Sequence, residues 1–183
     1  AGRQHLGLEL DESRERVIRD GSKDTVFDMY ALVRAAVTLE NGSKSDTERA
    51  TTLNHWLELP RKQRAAALVT QYMPIFLTQN HQPRKTLMTS GPAKANPEDL
   101  EALKTEQKRI FNLSEKLKAI TIAENTKALL TIGSALLDTY LSLKKTRALI
   151  DYDDLIEKAH NLLGSPTDVS WVHYKLDGGI DHI

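Results

Sequence analysis

The stretch that decides the fold is residues 96–146, NPEDLEALKTEQKRIFNLSEKLKAITIAENTKALLTIGSALLDTYLSLKKT. It opens with the signals of a helix N-terminus, because Asn96 can cap, Pro97 suits the first helical position and the two acidic residues that follow favour the helix dipole. The apolar residues that then recur three or four positions apart are Leu100, Leu103, Ile110, Leu113, Leu117, Ile120, Leu129, Leu130, Leu136, Leu137, Tyr140 and Leu141. The pattern predicts a helix of about 48 residues, ~70 Å long at 1.5 Å per residue, unless Gly133 or residues 112–114 interrupt it.

Helical signals also precede this stretch. An apolar stripe in residues 25–39 predicts a helix that ends at Asn41-Gly42-Ser43, with Gly42 as a left-handed cap. The stripe consists of Val26, Phe27, Tyr30, Val33, Arg34 and Val37. Ser45 with Glu48 predicts a capping box for a second helix. Trp56 in that helix, and Trp171 much further on, are expected to lie in the core rather than to stack on bases.

The remaining segments complete an all-α prediction. Residues 61–77 form a further stripe, whose last turn Pro74 is expected to kink or shorten. Residues 78–97 are a basic loop by composition, with almost nothing to bury, and residues 151–163 are a helix capped by Asp151. Two short segments follow: a helix is predicted at 168–175, and a turn and the start of a strand are predicted at 177–183. We therefore expect residues 1–183 to be a single helical domain with one or two long helices, excised from a larger protein.

Composition excludes several classes of protein. The chain has 183 residues, with 25 basic and 25 acidic side chains and no cysteine. Neutral charge argues against a surface that binds polyanions all over, and the lack of cysteine excludes disulfides, thiol nucleophiles and cysteine-ligated zinc. No apolar run approaches the ~20 residues of a membrane span, and no leader peptide is visible. We expect a cytoplasmic protein without a membrane partner.

The charges are unevenly distributed along the chain. Residues 61–120 contain 11 basic and 5 acidic residues, and no Asp or Glu occurs between Glu58 and Glu98. The basic residues in that gap are Arg61, Lys62, Arg64, Arg84, Lys85 and Lys94. Unopposed cations in a loop with hydroxyl groups and backbone donors are what a phosphate-contacting surface needs. The alternative is a solvated basic segment that faces the acidic ends of the same fold.

Catalytic signals are weak or missing. The chain has no GxxxxGK[ST], GxGxxG, HExxH or GxSxG motif, and its six histidines are scattered singly. The one acidic cluster, Asp151-Tyr152-Asp153-Asp154, could hold a divalent cation or act as a general base. It also suits a helix N-terminus, where Asp caps backbone N–H groups, and we favour that interpretation because no partner residues converge on it.

At this cluster the chain resembles a known family. Ala148-Leu149-Ile150-Asp151-Tyr152-Asp153-Asp154-Leu155-Ile156 is similar to the D-[FY]-x-D-L segment of superfamily 1 DNA helicases of the UvrD/Rep class. Residues 171–183 resemble the approach to the D-E-x-Q motif in the AddA branch, the helicase–nuclease subunit of bacterial AddAB. Phe76-Leu77-Thr78, Pro83-Arg84-Lys85 and Lys94-Ala95-Asn96-Pro97 resemble further AddA motifs in the same order. The resemblance covers roughly residues 43–183.

The resemblance implies a helical 1B-type subdomain, which in such helicases lies beside the DNA and contacts its backbone. The parent would bind ATP and Mg, unwind DNA and cut it, work with an AddB-type nuclease subunit, and act in double-strand break repair by recombination. Its phosphate-binding loop and D-E-x-Q acids would lie outside this sequence. The resemblance therefore assigns no catalytic, cofactor-binding or metal-binding residue here, and independent activity is not expected.

Two other functions remain open. The amphipathic helix at 97–146 could make the chain a protein-interaction module that docks a partner subunit without touching nucleic acid. An independent metal enzyme built on the Asp151 cluster is the remaining alternative, and it would lose its turnover on Asp153→Asn.

Overall fold

The computed structural model describes residues 12–164 and 174–175, and within them it confirms the all-α fold. The helices are α1 (Arg14–Gly21), a 3-10 turn (Asp24–Val26), α2 (Met29–Glu40), α3 (Lys44–Glu58), α4 (Arg61–Ala67), a π-helical turn (Leu68–Tyr72), α5 (Met73–Phe76), α6 (Ser90–Ala95), α7 (Pro97–Thr146) and α8 (Tyr152–Gly164). No strand occurs in the described residues, where pairing is limited to an isolated bridge between Leu77 and Pro83. The turn and strand expected at 177–183 lie outside them, as does Trp171.

The long helix predicted at 96–146 is confirmed. Helix α7 has 50 residues, and Gly133 does not interrupt it. Its buried residues all lie between Asp99 and Ile120, whereas Leu129 and the large apolar residues after it are exposed. The chain divides into two compact units at residues 127 and 128, inside this helix. The periodic apolar pattern therefore predicts the whole helix, but only its first half is packed.

The core of the first unit is built around stacked aromatic rings. The ring centroids of Trp56 and Tyr72 lie 3.8 Å apart, and Phe76 meets the Tyr72 ring edge-on at 5.2 Å. All three side chains are fully buried, and the indole N–H of Trp56 donates to the carbonyl of Arg64 over 3.1 Å. The prediction that Trp56 belongs to the core is confirmed.

Helix α2 buries a different face from the one its stripe predicts. Tyr30, Val33 and Val37 are exposed, and Tyr30 retains 91% of its accessible surface. The buried residues are Leu32, Ala35, Ala36, Thr38 and Leu39. The helix begins only after Asp28, whose carboxylate caps Ala31, so Val26 and Phe27 precede it. Alanine side chains let α2 approach α3 closely, and this contact outweighs the burial of larger side chains on the opposite face.

The α2–α3 connection also differs from the prediction. The N-cap of α3 is Ser43, two residues before the predicted Ser45, and its capping-box partner is Asp46. Gly42 does not adopt a left-handed conformation, and glycine is needed there because an added Cβ would lie 2.4 Å from an Asp46 carboxylate oxygen.

Asp46 links α3 to the segment predicted as a loop. Its fully buried carboxylate accepts hydrogen bonds from the backbone N–H of Thr89 and from the Thr89 hydroxyl, and pairs with Arg49 over 3.0 Å. Burial opposes ionisation of Asp46, but the hydrogen bonds from Thr89 and Ser43 outweigh it and lower its pKa. Residues 78–97 are not free of buried groups, since Leu87 and Met88 are buried and α6 lies within the segment.

A π-helical turn immediately precedes the short helix that contains Pro74, the residue expected to kink or shorten the last turn. The backbone N–H of Met73 bonds to the carbonyl of Leu68, five residues earlier, and the helix ends at Phe76. A proline ring collides with the carbonyl four residues before it in a regular α-helix. The wider turn offers a way to relieve that collision, because it displaces the carbonyl from its α-helical position.

Candidate nucleic-acid interface

The six predicted DNA-contacting residues do not share one environment. Arg61, Lys62, Lys85 and Lys94 are exposed, Arg84 is half-buried and Arg64 is buried. Arg61 and Lys62 line one groove, and Arg84 lines another. Lys85 and Lys94 line neither groove. The structure therefore brings only Arg61 and Lys62 together in one groove.

Arg64 serves the fold rather than the surface. Its Nε donates to the carbonyl of Leu59 over 2.9 Å, its guanidinium pairs with Asp24, and the same group lies 5.6 Å from the centre of the Trp56 ring. Burial and these contacts leave the group no open side for a phosphate. The prediction of Arg64 as a DNA contact is corrected. Although Arg64 lies in a stretch without acidic residues, its guanidinium pairs with Asp24, 40 residues earlier in the chain.

The first groove runs between the end of α1 and the start of α4. Its lining consists of Arg19, Ser22, Lys23, Arg61, Lys62 and Ala65, and its volume is about 350 Å³. The sequence pattern did not indicate Arg19 and Lys23, because both precede the acid-free stretch. Their spacing of four residues, at the end of a helix, was the available signal.

Two carboxylates hold part of this basic groove in place. Lys23 pairs with Asp20 over 2.7 Å, and Arg61 pairs with Asp24 over 3.4 Å. A hydrogen bond from Lys23 lowers the pKa of Asp20, and one from Arg64 lowers the pKa of Asp24, so both acids stay charged at neutral pH. Within the described ranges, neither Arg19 nor Lys62 forms an ion pair. The groove thus carries uncompensated positive charge from both of its walls.

Arg84 lies in a second, less basic groove of about 300 Å³. The other lining residues are Ser45, Glu48, Arg49, Thr52, Gln71, Pro74 and Ile75. The Nε of Arg84 donates to the carbonyl of Pro74 over 3.0 Å, which fixes the guanidinium but leaves its terminal nitrogens available. Glu48 opposes the two arginines here, so this groove attracts anions less strongly than the first.

The acidic cluster of the second unit is a helix cap. The backbone N–H of Asp154 donates to the Asp151 carboxylate over 3.0 Å, and that of Asp151 donates to the Asp154 carboxylate over 2.9 Å. Lys144 bonds to both acids, raising its own pKa and lowering theirs, and Tyr140 donates to Asp151 over 3.0 Å. The capping interpretation is confirmed. Among the residues described, no three His, Asp or Glu side chains form a group that could hold a metal ion.

The same unit exposes a large amount of apolar surface. Residues 128–143 contain a single charged side chain, Asp138. The exposed large apolar residues of this unit include Leu129, Leu130, Ile132, Leu136, Leu137, Tyr140, Leu141, Leu143, Leu149, Ile150, Tyr152, Leu155, Ile156 and Leu162. Soluble monomers rarely expose contiguous apolar patches of more than a few hundred Å². In the described part of the chain, none of the helices combines the length and apolarity that crossing a membrane requires.

Comparison of the chain with protein-family models, with curated proteins and with solved structures finds no match. The resemblance to AddA-type helicases therefore rests on the short motifs quoted above.

Proposed function

We propose that this chain is a helical 1B-type accessory subdomain of an AddA-like ATP-dependent DNA helicase and nuclease, acting in double-strand break repair by recombination. Its own contribution is to contact the DNA backbone. The observation that carries the proposal is the set of exposed cations in the acid-free stretch, of which Arg61 and Lys62 line one groove. Backbone contacts position a protein on DNA without reading its sequence, which is the role expected of an accessory subdomain.

In the part of the chain that the structure describes, the residues do not fit ATP or Mg. The sequence has no glycine-rich phosphate loop, and its one acidic cluster is engaged in capping α8 and pairing with Lys144. In the proposal, ATP, Mg and the catalytic acids belong to other parts of the parent, as does docking of an AddB-type nuclease subunit. No catalytic step is assigned to these residues.

Salt dependence tests the proposal. With four to six phosphate contacts, log affinity for duplex DNA is expected to fall against log salt with a slope of ~−3.6 to −5.4. The measurement is fluorescence anisotropy of a labelled 25-base-pair duplex titrated with the whole chain between 50 and 200 mM NaCl. Two duplexes of unrelated sequence should bind equally, because phosphates carry no sequence information.

Substitution of Arg84 and Lys85 by alanine locates the contact. Each lost contact is expected to weaken binding about 8-fold at 0.1 M salt and to flatten the slope by ~0.9, so the double variant loses about 60-fold. Lys104 and Lys108 of α7 are the charge-matched control, since both are exposed and lie outside the acid-free stretch. Equal affinities of the wild type and R84A/K85A for the duplex would contradict the proposal that this segment contacts DNA.

The exposed apolar side chains of residues 128–162 favour a second function, docking of a protein partner. Apolar association is not screened by salt, so the chain is expected to sediment above its monomer mass equally at 0.05 and 0.5 M NaCl. Leu129 and Leu136 lie seven residues apart on one face of α7 and are exposed, so L129S/L136S should reduce the mass without unfolding the chain. A wild-type chain that is monomeric at both salt concentrations, with the same sedimentation coefficient as the variant, argues against docking by this face.

A further inference from the structure

The groove between α1 and α4 is a convergent cationic site assembled from distant parts of the sequence. Arg19 and Lys23 come from one wall, and Arg61 and Lys62 come from the other. Among the described residues that line the groove there is no carboxylate. Lys23 and Arg61 are paired with Asp20 and Asp24, so the unbalanced positive charge around this volume of about 350 Å³ comes from Arg19 and Lys62, and it attracts an anion into the groove.

The supporting contacts keep this arrangement open. Asp20 and Asp24 pair with Lys23 and Arg61, and Asp24 is itself held by the buried Arg64. Pairing restricts both long side chains before a ligand arrives, so less side-chain entropy remains to be lost on binding. Arg19 and Lys62, one on each wall, have no ion pair within the described residues and supply the net attraction.

The charged ends of the four basic side chains suit phosphate. Two guanidinium groups present planar pairs of N–H donors that match phosphate oxygens, and the two ammonium groups add point charge. Ala65, which also lines the groove, has a small side chain that leaves space for an anion. The volume is at the lower end of the range of ligand pockets, which fits a phosphodiester and its sugar better than a protein segment.

We propose that this groove seats phosphates of a nucleic-acid backbone, with Arg19 and Lys62 as the residues that contribute most of the affinity. The inference rests on the proposed DNA contact and deepens it, because it adds residues outside the acid-free stretch and makes the α1–α4 groove the anchor. Arg84 and Lys85 then extend the contact beyond the groove.

The test compares R19Q and R19Q/K62Q with K104Q/K108Q as the charge-matched control, in the whole chain and with the same labelled duplex. Loss of one contact is expected to weaken binding about 8-fold at 0.1 M salt and loss of two about 60-fold, with the slope reduced by ~0.9 and ~1.8. Both substituted side chains are exposed, so the far-UV circular dichroism spectrum and the unfolding temperature should match those of the control.

The outcomes separate the groove from the broader function. If R84A/K85A weakens binding while R19Q/K62Q and the control bind like the wild type, the backbone contact exists but the groove is not part of it, and the inference is overturned. If the wild type shows no salt-dependent binding, the proposed function itself fails. Inorganic phosphate at 5 mM and constant ionic strength should leave DNA bound, and displacement of the DNA would overturn the polynucleotide assignment in favour of a small anion.

Discussion

Replacement of Trp56 by alanine is expected to lower the free energy of unfolding by about 4 kcal/mol. The indole is fully buried, stacks on Tyr72 at 3.8 Å and lies 5.6 Å from the ring of Phe27. The substitution also removes the hydrogen bond from the indole N–H to the Arg64 carbonyl and the cation–π contact between the Arg64 guanidinium and the indole ring. The smaller side chain leaves a cavity at the junction of α3, α4 and the π-helical turn. Urea unfolding followed by far-UV circular dichroism measures the change.

Tyr30 supplies the matched control, because it is also aromatic but is 91% exposed. Tyr30→Ala should change the free energy of unfolding by no more than about 0.5 kcal/mol. Equal destabilisation by the two substitutions would mean that the aromatic stack is not the centre of the core.

Glu106→Ala is the second substitution with a large expected effect, a loss of about 3 to 5 kcal/mol. The buried carboxylate accepts the hydroxyl of Tyr72 over 2.7 Å and two nitrogens of Arg109 over 2.6 and 2.8 Å. Burial and the charge of Glu106 raise the pKa of Tyr72 well above its ordinary value, so the phenol stays protonated and donates. Alanine leaves the phenol and most of the guanidinium without acceptors inside the protein.

The control for this prediction is Glu101→Ala on the same helix. Glu101 pairs with Lys104 over 2.6 Å, but both side chains are more than half exposed, so the expected loss is about 0.5 kcal/mol or less. Chemical unfolding of the two variants under identical conditions gives the comparison. A Glu106→Ala protein as stable as Glu101→Ala would show that the buried network contributes no net stability, as happens when desolvation cancels pairing.

The long helix and the all-α class could be predicted because they depend on local signals. Asn96, Pro97 and the three-to-four spacing act within one segment, so neighbouring residues carry the whole argument. The buried face of α2 could not be predicted from the sequence. Whether the helix buries its larger side chains or Ala35 and Ala36 depends on how closely α3 approaches. That distance is a property of the packed pair and has no trace in the periodicity of one helix.

The residues of the candidate site were also only partly predictable from the sequence. An acid-free stretch indicated Arg61 and Lys62 correctly as surface cations, since exposure of a charged residue is the default. The same stretch did not indicate that Arg64 is buried and paired, because its partner Asp24 is remote in sequence. Arg19 and Lys23 joined the groove only through the packing of α1 against α4, so charge counted along the chain could not associate them with residues 61 and 62.

Helix α7 combines two kinds of backbone stability in one continuous element. Up to Ile120 its hydrogen bonds are backed by side chains in the core, and opening them requires that packing to be undone. Past that point the described side chains are largely exposed. Opening there costs the intrinsic helix propensity of the residues involved and, near the end of the helix, the contacts of Tyr140 and Lys144 with the Asp151 cap. Local opening should therefore become easier along a single helix, with the boundary near residue 123. Thermal fraying would begin in its C-terminal half and stop where the core begins.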